Sequence, residues 1–295
     1  MDETHKDFRP FILEPQMSYR VLITHHPEET EKKAISDVLR DLARISYWPV
    51  VPEPEKNQIL AETDVILGQS LSAREIQPRD IQRMDKLRFI QAVFAGADNI
   101  PFEHIPPSIT VACNPGAFAE PIAEHVLAMT LALAKSLLEN HLHLARGRFE
   151  QNKLNKALKA KTCGIVGLGG NGRAVAAIMQ AVGMTVYGIN RSGQSDQAVD
   201  FLGTMKDLPA LLQNSDVLVL CVPLTRQTNN LITKQELRQM KPDAILINVA
   251  RGDVINQRDL YQHLREHPEF QAGIDTWWVE PGTHGRFSVE YPFFE

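Results

Sequence analysis

The stretch from Lys161 to Arg191 constrains this chain more than any other. An apolar run, Cys163 to Val166, stops at Gly167-Leu168-Gly169-Gly170-Asn171-Gly172. Beyond it Ala174, Val175, Ile178, Met179 and Val182 recur at helical spacing, and a second apolar run, Thr185 to Ile189, closes the unit. Strand, tight turn, helix, strand is the setting in which G-x-G-x-x-G binds a dinucleotide. Each glycine has a physical task. Gly167 permits the turn, Gly169 lets backbone approach a pyrophosphate without a Cβ in the way, and Gly172 lets helix and strand pack closely. The phosphates then meet the exposed N–H groups and positive end of the helix. Gly167, Leu168, Gly169, Gly170 and Asn171 are therefore candidate cofactor contacts. A glycine-rich turn with no ligand is the competing reading, and the flanking strands and helix weigh against it.

At 295 residues the chain is long enough for two domains, each with its own core. It is 43% hydrophobic and 23% charged, as ordinary globular proteins are. A formal net charge of −5 gives no electrostatic reason to expect nucleic acid as a partner. The polar, acidic start, Met1 to Arg9, lacks the pattern of a signal peptide. The longest apolar stretch, Val126 to Leu138, is too short to span a bilayer and contains Lys135, so no membrane partner is expected. Cys113, Cys163 and Cys221 each lie in or beside an apolar run. That fits buried, reduced thiols rather than a disulfide or metal framework, and the expected compartment is the cytoplasm.

Residues 1–16 show no periodicity and read as an N-terminal extension. A first domain, 17–115, has strands at Val21–Ile23, Val65–Gly68, Phe89–Phe94 and Ile109–Cys113, and a helix over Glu28–Arg44 with Ala34, Val38 and Leu42 inward. Prolines 49, 52, 54, 101, 106 and 107 punctuate the connections. The pattern changes at Asn114-Pro115-Gly116. One long helix is expected over 119–146, apolar over much of its circumference and hence buried between domains or between subunits. In the second domain, 116–295, helices are expected at Asp207–Asn214, at Thr233–Met240 behind a Thr233/Glu236 capping box, and at Gln257–Glu266. Strands are expected at Asp216–Val222, Ala244–Val249 and Gln271–Trp277. Strands alternating with helices predict two doubly wound α/β domains, each a parallel sheet covered on both faces.

In such sheets ligands meet the carboxyl ends of the strands. Gly96, in Phe94-Ala95-Gly96-Ala97-Asp98-Asn99, can present bare N–H groups to an anion. Read locally, it is first an ordinary strand-to-helix turn capped by Asp98. Arg251, beside Gly252, can pair bidentately with a carboxylate or join a surface ion pair. Glu280 can orient a histidine acid and raise its pKa, or be a solvated loop charge. His125 reads as a packed or hydrogen-bonded structural histidine. Trp277 and Trp278 either shape a pocket or fill core. The strand Thr185–Ile189 ends in Asn190-Arg191-Ser192, without the acidic residue that accepts a ribose 2′-hydroxyl in NAD sites. Arg191 can pair with a 2′-phosphate. The expected cofactor is NADP in preference to NAD.

Together these residues resemble the D-isomer-specific 2-hydroxyacid dehydrogenases. The resemblance runs from about Arg20 to Pro281. Phe94 to Asp98, Asn114-Pro115-Gly116 followed by Ala123-Glu124-His125, the glycine turn, Val222-Pro223-Leu224-Thr225, Asn248 to Gly252, and Asp275 through Glu280-Pro281 carry it. It implies a flavodoxin-like substrate domain, a Rossmann nucleotide-binding domain, and a small 2-keto or 2-hydroxy acid substrate such as glyoxylate or hydroxypyruvate. By the same resemblance, backbone at Ala95 and Gly96 holds the substrate carboxylate, and Arg251 binds carboxylate and keto oxygen. Glu280 partners the catalytic histidine and Asp275 contacts the nicotinamide amide. Val222, Pro223, Thr228, Val249 and Ala250 line the nucleotide cleft with Asn190, Arg191 and Ser192. Helix 119–146 would join two copies in a homodimer.

One departure is large. The family's acid/base histidine lies in a Pro-His motif well downstream of the Glu-Pro pair, and neither that motif nor the helix returning to the substrate domain appears here. His284, in a glycine-flanked loop, is a poor substitute. The apolar run Tyr291 to Phe294 has nothing after it to cover it, which reads as a truncated or incompletely represented chain. The expectation is an oxidoreductase by family that binds cofactor but reduces 2-keto acids poorly. A nucleotide-sensing regulatory protein of the same fold and an inactive remnant are the alternatives.

Overall fold

The computed structural model describes residues 19–69, 71–98, 100–152 and 154–294. The expected extension 1–16 lies outside them, as do Asn99 and Glu295. The chain divides into two compact units, Met1–Asn114 and Pro115–Glu295.

The first unit runs β1 (Tyr19–Ile23), α1 (Glu29–Leu39), β2 (Ala43–Tyr47), α2 (Glu53–Glu62), β3 (Val65–Gly68), α3 (Pro78–Ile81), β4 (Phe89–Ala92) and β5 (Thr110–Ala112). Its strands are parallel in the order β2-β1-β3-β4-β5, the flavodoxin arrangement. Leu22, Ile66 and Ile90 project from one face onto Leu60 of α2 and Ile81 of α3. The other face departs from the expectation of a sheet covered twice. There Val21, Val65, Leu67 and Phe89, with Leu39 and Leu42, line an apolar groove of about 710 Å³. The reason lies in α1. It carries Glu29, Glu31, Lys32, Lys33 and Asp37, buries no residue, and leaves Val38 72% exposed. The helix stops at Leu39 rather than Arg44, and the edge strand β2 follows at once. The prolines at 52 and 54 do not break structure either. They sit at the N-cap and in the first turn of α2, where a missing N–H costs nothing.

The second unit runs α4 (Ala119–Ala134), α5 (Leu137–Ala145), β6 (Thr162–Val166), α6 (Gly170–Ala181), β7 (Thr185–Ile189), β8 (Phe201–Gly203), α7 (Leu208–Asn214), β9 (Val217–Leu220), α8 (Lys234–Leu237), β10 (Ile245–Asn248), α9 (Gln257–Glu266), β11 (Gln271–Ile274) and α10 (Pro281–His284). The parallel order β11-β10-β9-β6-β7-β8 is the Rossmann arrangement, with its switch between β6 and β9. Here both faces are covered. Ile165, Val219 and Ile247 meet Val126 of α4 and Met179 of α6 on one side. Leu218, Leu220 and Leu246 meet Leu211, Leu237 and Leu260 on the other. The capping box of Thr233 and Glu236 forms as expected.

The single helix expected over 119–146 is corrected to two, α4 and α5, bent by 54°. Ser136 between them has φ +48°, a left-handed conformation that ends a right-handed helix. The Asn140 carboxamide donates to the Lys135 carbonyl at 3.2 Å and so takes up an acceptor the break leaves free. The two halves differ in burial. α4 encloses Ala123, Val126, Thr130 and Ala134, whereas α5 encloses nothing and leaves Leu137, Leu138, Leu142 and Leu144 exposed. No single helix among the described residues is long and apolar enough to cross a membrane.

Part of the aromatic run near residue 293 packs on side chains from earlier in the chain, while Phe294 stays exposed. Phe293 stacks on Trp278 at 5.7 Å, and Tyr291 stacks on Tyr261 at 5.3 Å. The three thiols are unpaired. Burial pushes Cys221 up to about 12 and Cys163 upward as well, so both are neutral packing groups.

Candidate functional site

The glycine turn between β6 and α6 has the shape its sequence implies. Gly167 has φ +101°, and a Cβ there would lie 2.8 Å from the Cys221 carbonyl oxygen. A Cβ on Gly172 would overlap the carbonyl oxygen of Gly167, so the helix packs on its own turn as closely as backbone allows. Gly169 is different: nothing lies within 4 Å of where its Cβ would be. Its backbone faces open space at the start of α6, and no side chain caps that helix. Unclaimed N–H groups, a positive helix pole and room for close approach fit a pyrophosphate. Gly170 is a packing glycine as well, since a Cβ on it would come 2.7 Å from Gly116 Cα.

At the end of β7, Asn190 is engaged within its own loop. Its Oδ1 accepts from the N–H groups of Ser192 (3.1 Å) and Gly193 (2.7 Å), and its Nδ2 donates to the Gln194 carbonyl (2.7 Å). The carboxamide therefore shapes the loop, while Arg191 and Ser192 are presented to solvent. Thr228 plays a similar part at the end of β9. Its hydroxyl donates to the Pro223 carbonyl at 2.6 Å and accepts from Thr225 N–H at 2.8 Å. It holds the loop after Val222, and its oxygen is taken up there.

Two distant segments meet beyond β10. Val249 and Ala250 are buried, and Asn248 brackets the turn, accepting from Ala250 N–H and donating to the Arg251 carbonyl. A Cβ on Gly252 would collide with the backbone of Trp277 and Trp278. Glu280 Oε1 accepts from Trp277 N–H at 2.6 Å. The Gly252 contact thus brings Arg251 and Glu280 into one neighbourhood. Trp278 is core, 9% exposed, with its indole N–H donating to the Ile255 carbonyl at 2.8 Å. Trp277 is half-buried among Phe287, Phe293 and Phe294. His284 Nδ1 accepts from the Glu280 backbone N–H at 3.2 Å, so its ring bonds the Glu280 main chain and not the carboxylate. At the end of β11, Asp275 Oδ1 lies 3.2 Å from His125 Nε2, both side chains about half exposed.

In the first unit the loop after β4 is pinned at its start, where Val93 and Phe94 donate to the carbonyls of Gly68 and Gln69 at 2.8 and 3.1 Å. The N–H groups of Ala95 and Gly96 donate to no protein acceptor among the described residues. No α-helix follows for Asp98 to cap; the next element is a single 3-10 turn, Phe102–His104. The reading of this segment as a capped strand-to-helix turn is corrected accordingly.

The family described as D-isomer specific 2-hydroxyacid dehydrogenase, NAD binding domain, matches residues 127–292. The chain belongs to this family. It is a dehydrogenase that uses a nicotinamide cofactor. The glyoxylate reductase of Thermococcus litoralis is 30% identical over 277 residues, covering 90% of this chain and 82% of its own. The hydroxypyruvate reductase of Thermotoga maritima is 32% identical over 232 residues, 78% of this chain and 74% of its own. Among solved structures, the D-lactate dehydrogenase of Aquifex aeolicus, complexed with NAD and lactic acid, is similar with a TM-score of 0.72. It is 26% identical, over 91% of this chain and 82% of its own.

In this dehydrogenase, sequence reasoning names Asn248 only within the family resemblance and reads His125 as a structural histidine with no partner assigned. Asn248 gave a faint signal, a lone carboxamide closing an apolar strand. His125 gave none for its partner, because its pairing with Asp275 spans α4 and β11.

Proposed function

We propose that this dehydrogenase transfers hydride between NADP(H) and a small 2-keto or 2-hydroxy acid of the glyoxylate or hydroxypyruvate type. One observation carries the reading: the open glycine turn and the Arg251–Glu280 neighbourhood both lie at strand carboxyl ends of one sheet. Gly167 to Asn171, Val222, Pro223, Val249, Ala250 and Asp275 hold the dinucleotide, with Thr228 shaping the loop beside them. When bound, the reduced nicotinamide supplies the hydride for the carbonyl carbon. The N–H groups of Ala95 and Gly96 bind the substrate carboxylate. Arg251 binds carboxylate and keto oxygen, and its fixed charge stabilises the oxyanion as it grows. Glu280 orients and charges a histidine acid. No imidazole among the described residues touches its carboxylate, so the polypeptide of these 295 residues is expected to turn over slowly. That missing imidazole favours a second reading, a nucleotide-sensing regulatory protein of this fold, and the presence of Arg251 and Glu280 counts against it.

NADP is preferred because Asn190 is spent inside its loop and Arg191 stands exposed where NAD enzymes carry an acid. Fluorescence titration should show NADPH binding roughly tenfold tighter than NADH, about 1.4 kcal/mol, and Arg191→Ala should close the gap. Tighter NADH binding would overturn the preference. The exposed leucines of α5 support a homodimer through α4 and α5, and the unpaired thiols a cytoplasmic location.

A further inference from the structure

A second crevice lies in the first unit, away from the apolar groove. It has a volume of about 520 Å³ and opens at the carboxyl ends of β1 and β3, between Thr24-His25-His26 and Gln69. In the order β2-β1-β3-β4-β5 this is where the chain reverses its winding, the place at which open α/β sheets bind ligands. Four of its nine lining residues are basic. Lys56 and Arg74 bring fixed positive charges, and His25 and His26 bring imidazoles. The one carboxylate in the lining is Glu75, whose Oε2 already accepts from Thr24 Oγ1 (3.0 Å) and Gln69 N–H (2.9 Å). Lys56 stands 5.1 Å over the Trp48 ring, so its stem is held while its ammonium has donors beyond the Glu53 contact.

His25 adds an independent mark. Its side chain is only 3% exposed, with Nε2 against Glu31 at 2.8 Å. Its Nδ1 is enclosed and has no hydrogen-bond partner among the described residues. Buried polar atoms are ordinarily paired, and an exception in a crevice wall marks a place where the described residues do not complete the interactions. The crevice also adjoins the Ala95-Gly96 loop through a shared residue: Gln69 lines it, and its carbonyl anchors Phe94 N–H.

We propose that this crevice takes a second anionic group, a carboxylate or a phosphate, at the far end of the keto acid whose own carboxylate sits on Ala95 and Gly96. The proposal rests on the keto-acid reading above and narrows it to dianionic acids. It is tested by calorimetry on the full chain with oxidised cofactor bound, so that no turnover occurs. Two matched pairs serve as probes: 2-oxoglutarate against 2-oxopentanoate, and phosphohydroxypyruvate against hydroxypyruvate. The dianionic member of at least one pair should bind about tenfold tighter or better, an advantage that shrinks with added salt. The pair that shows it identifies the group. In the double variant Lys56→Gln, Arg74→Gln the advantage should vanish, with NADP titration confirming a folded chain. Equal binding within both pairs, or an advantage that survives the double variant, overturns the proposal alone. Binding of cofactor but of no keto acid overturns the reading beneath it as well.

Discussion

The two units are built by one rule, parallel strands joined by helices, yet they close over their sheets differently. In the second, β9 and β10 are enclosed at every position and a core lies on each face. In the first, β3 and β4 alternate between enclosed and half-exposed residues, and the half-exposed set opens on the apolar groove. Val65-Ile66-Leu67 is as apolar as Val217 to Leu220, so strand composition does not explain the contrast. Helices do. α4 and α6 each enclose four residues, whereas α1 encloses none and leaves Ile35 and Leu39 only half-buried. A parallel sheet needs two apolar partners, and an apolar strand does not create them.

Truncations on the two sheets should sharpen the contrast most. Ile247→Ala removes a fully enclosed side chain and is expected to cost about 3 kcal/mol, against about 1 kcal/mol for Leu67→Ala at the groove. Denaturant unfolding followed by a probe in each unit measures both, and equal losses would erase the distinction. The next effect is acid sensitivity confined to the second unit. Burial first, and then the charge of His267, lower the His263 pKa to about 4 from 6.5. Because the folded value lies below the ordinary one, this contribution to stability is complete above about 6.5 and is lost as pH falls toward about 4. The melting temperature of the second unit should decline across that window, and His263→Leu should flatten the decline. An unchanged slope in the variant would remove His263 from the account. The smallest effect belongs to the break between α4 and α5. Ser136→Gly relieves a φ of +48° and should stabilise by up to about 1 kcal/mol. A destabilised variant would show that the Ser136 side chain is needed at the break.

Central strands were legible, as were the edge strands β5 and β11, whereas the edge strands β2 and β8 were not. β6, β9 and β10 are enclosed by sheet and helices, and β1 and β3 read just as apolar although one face of each lines the groove. β2 and β8, each at an edge of its sheet, keep half-exposed side chains, so the helical pattern runs on over Ala43 and Arg44, and Ile45 to Tyr47 and Phe201 to Gly203 carry no strand signal. The break at Ser136 was hidden because serine carries no helix-stop signal of the kind glycine or proline does. At the site the turn at Gly167 and the close approach of Gly172 to it were readable because both are set within one short stretch, whereas the packing of Gly167 on Cys221 and of Gly170 on Gly116 was not. Asn190 was read as a ligand contact, but its carboxamide is consumed by neighbours three and four residues on, a competition that local sequence does not display.

By itself, then, the sequence determined what depends on neighbours along the chain: the βαβ unit with its anion-ready turn and the parallel character of both sheets. Only the tertiary structure decided what depends on residues far apart in sequence. It closed one sheet on both faces and, among the described residues, left a groove on a face of the other, packed Gly252 on Trp277 so that Arg251 and Glu280 share a neighbourhood, and set His25, Lys56 and Arg74 around the switch point of the first sheet. The physical reason is one of range. Periodicity and backbone conformation are local, whereas burial and the meeting of charges are properties of the folded whole.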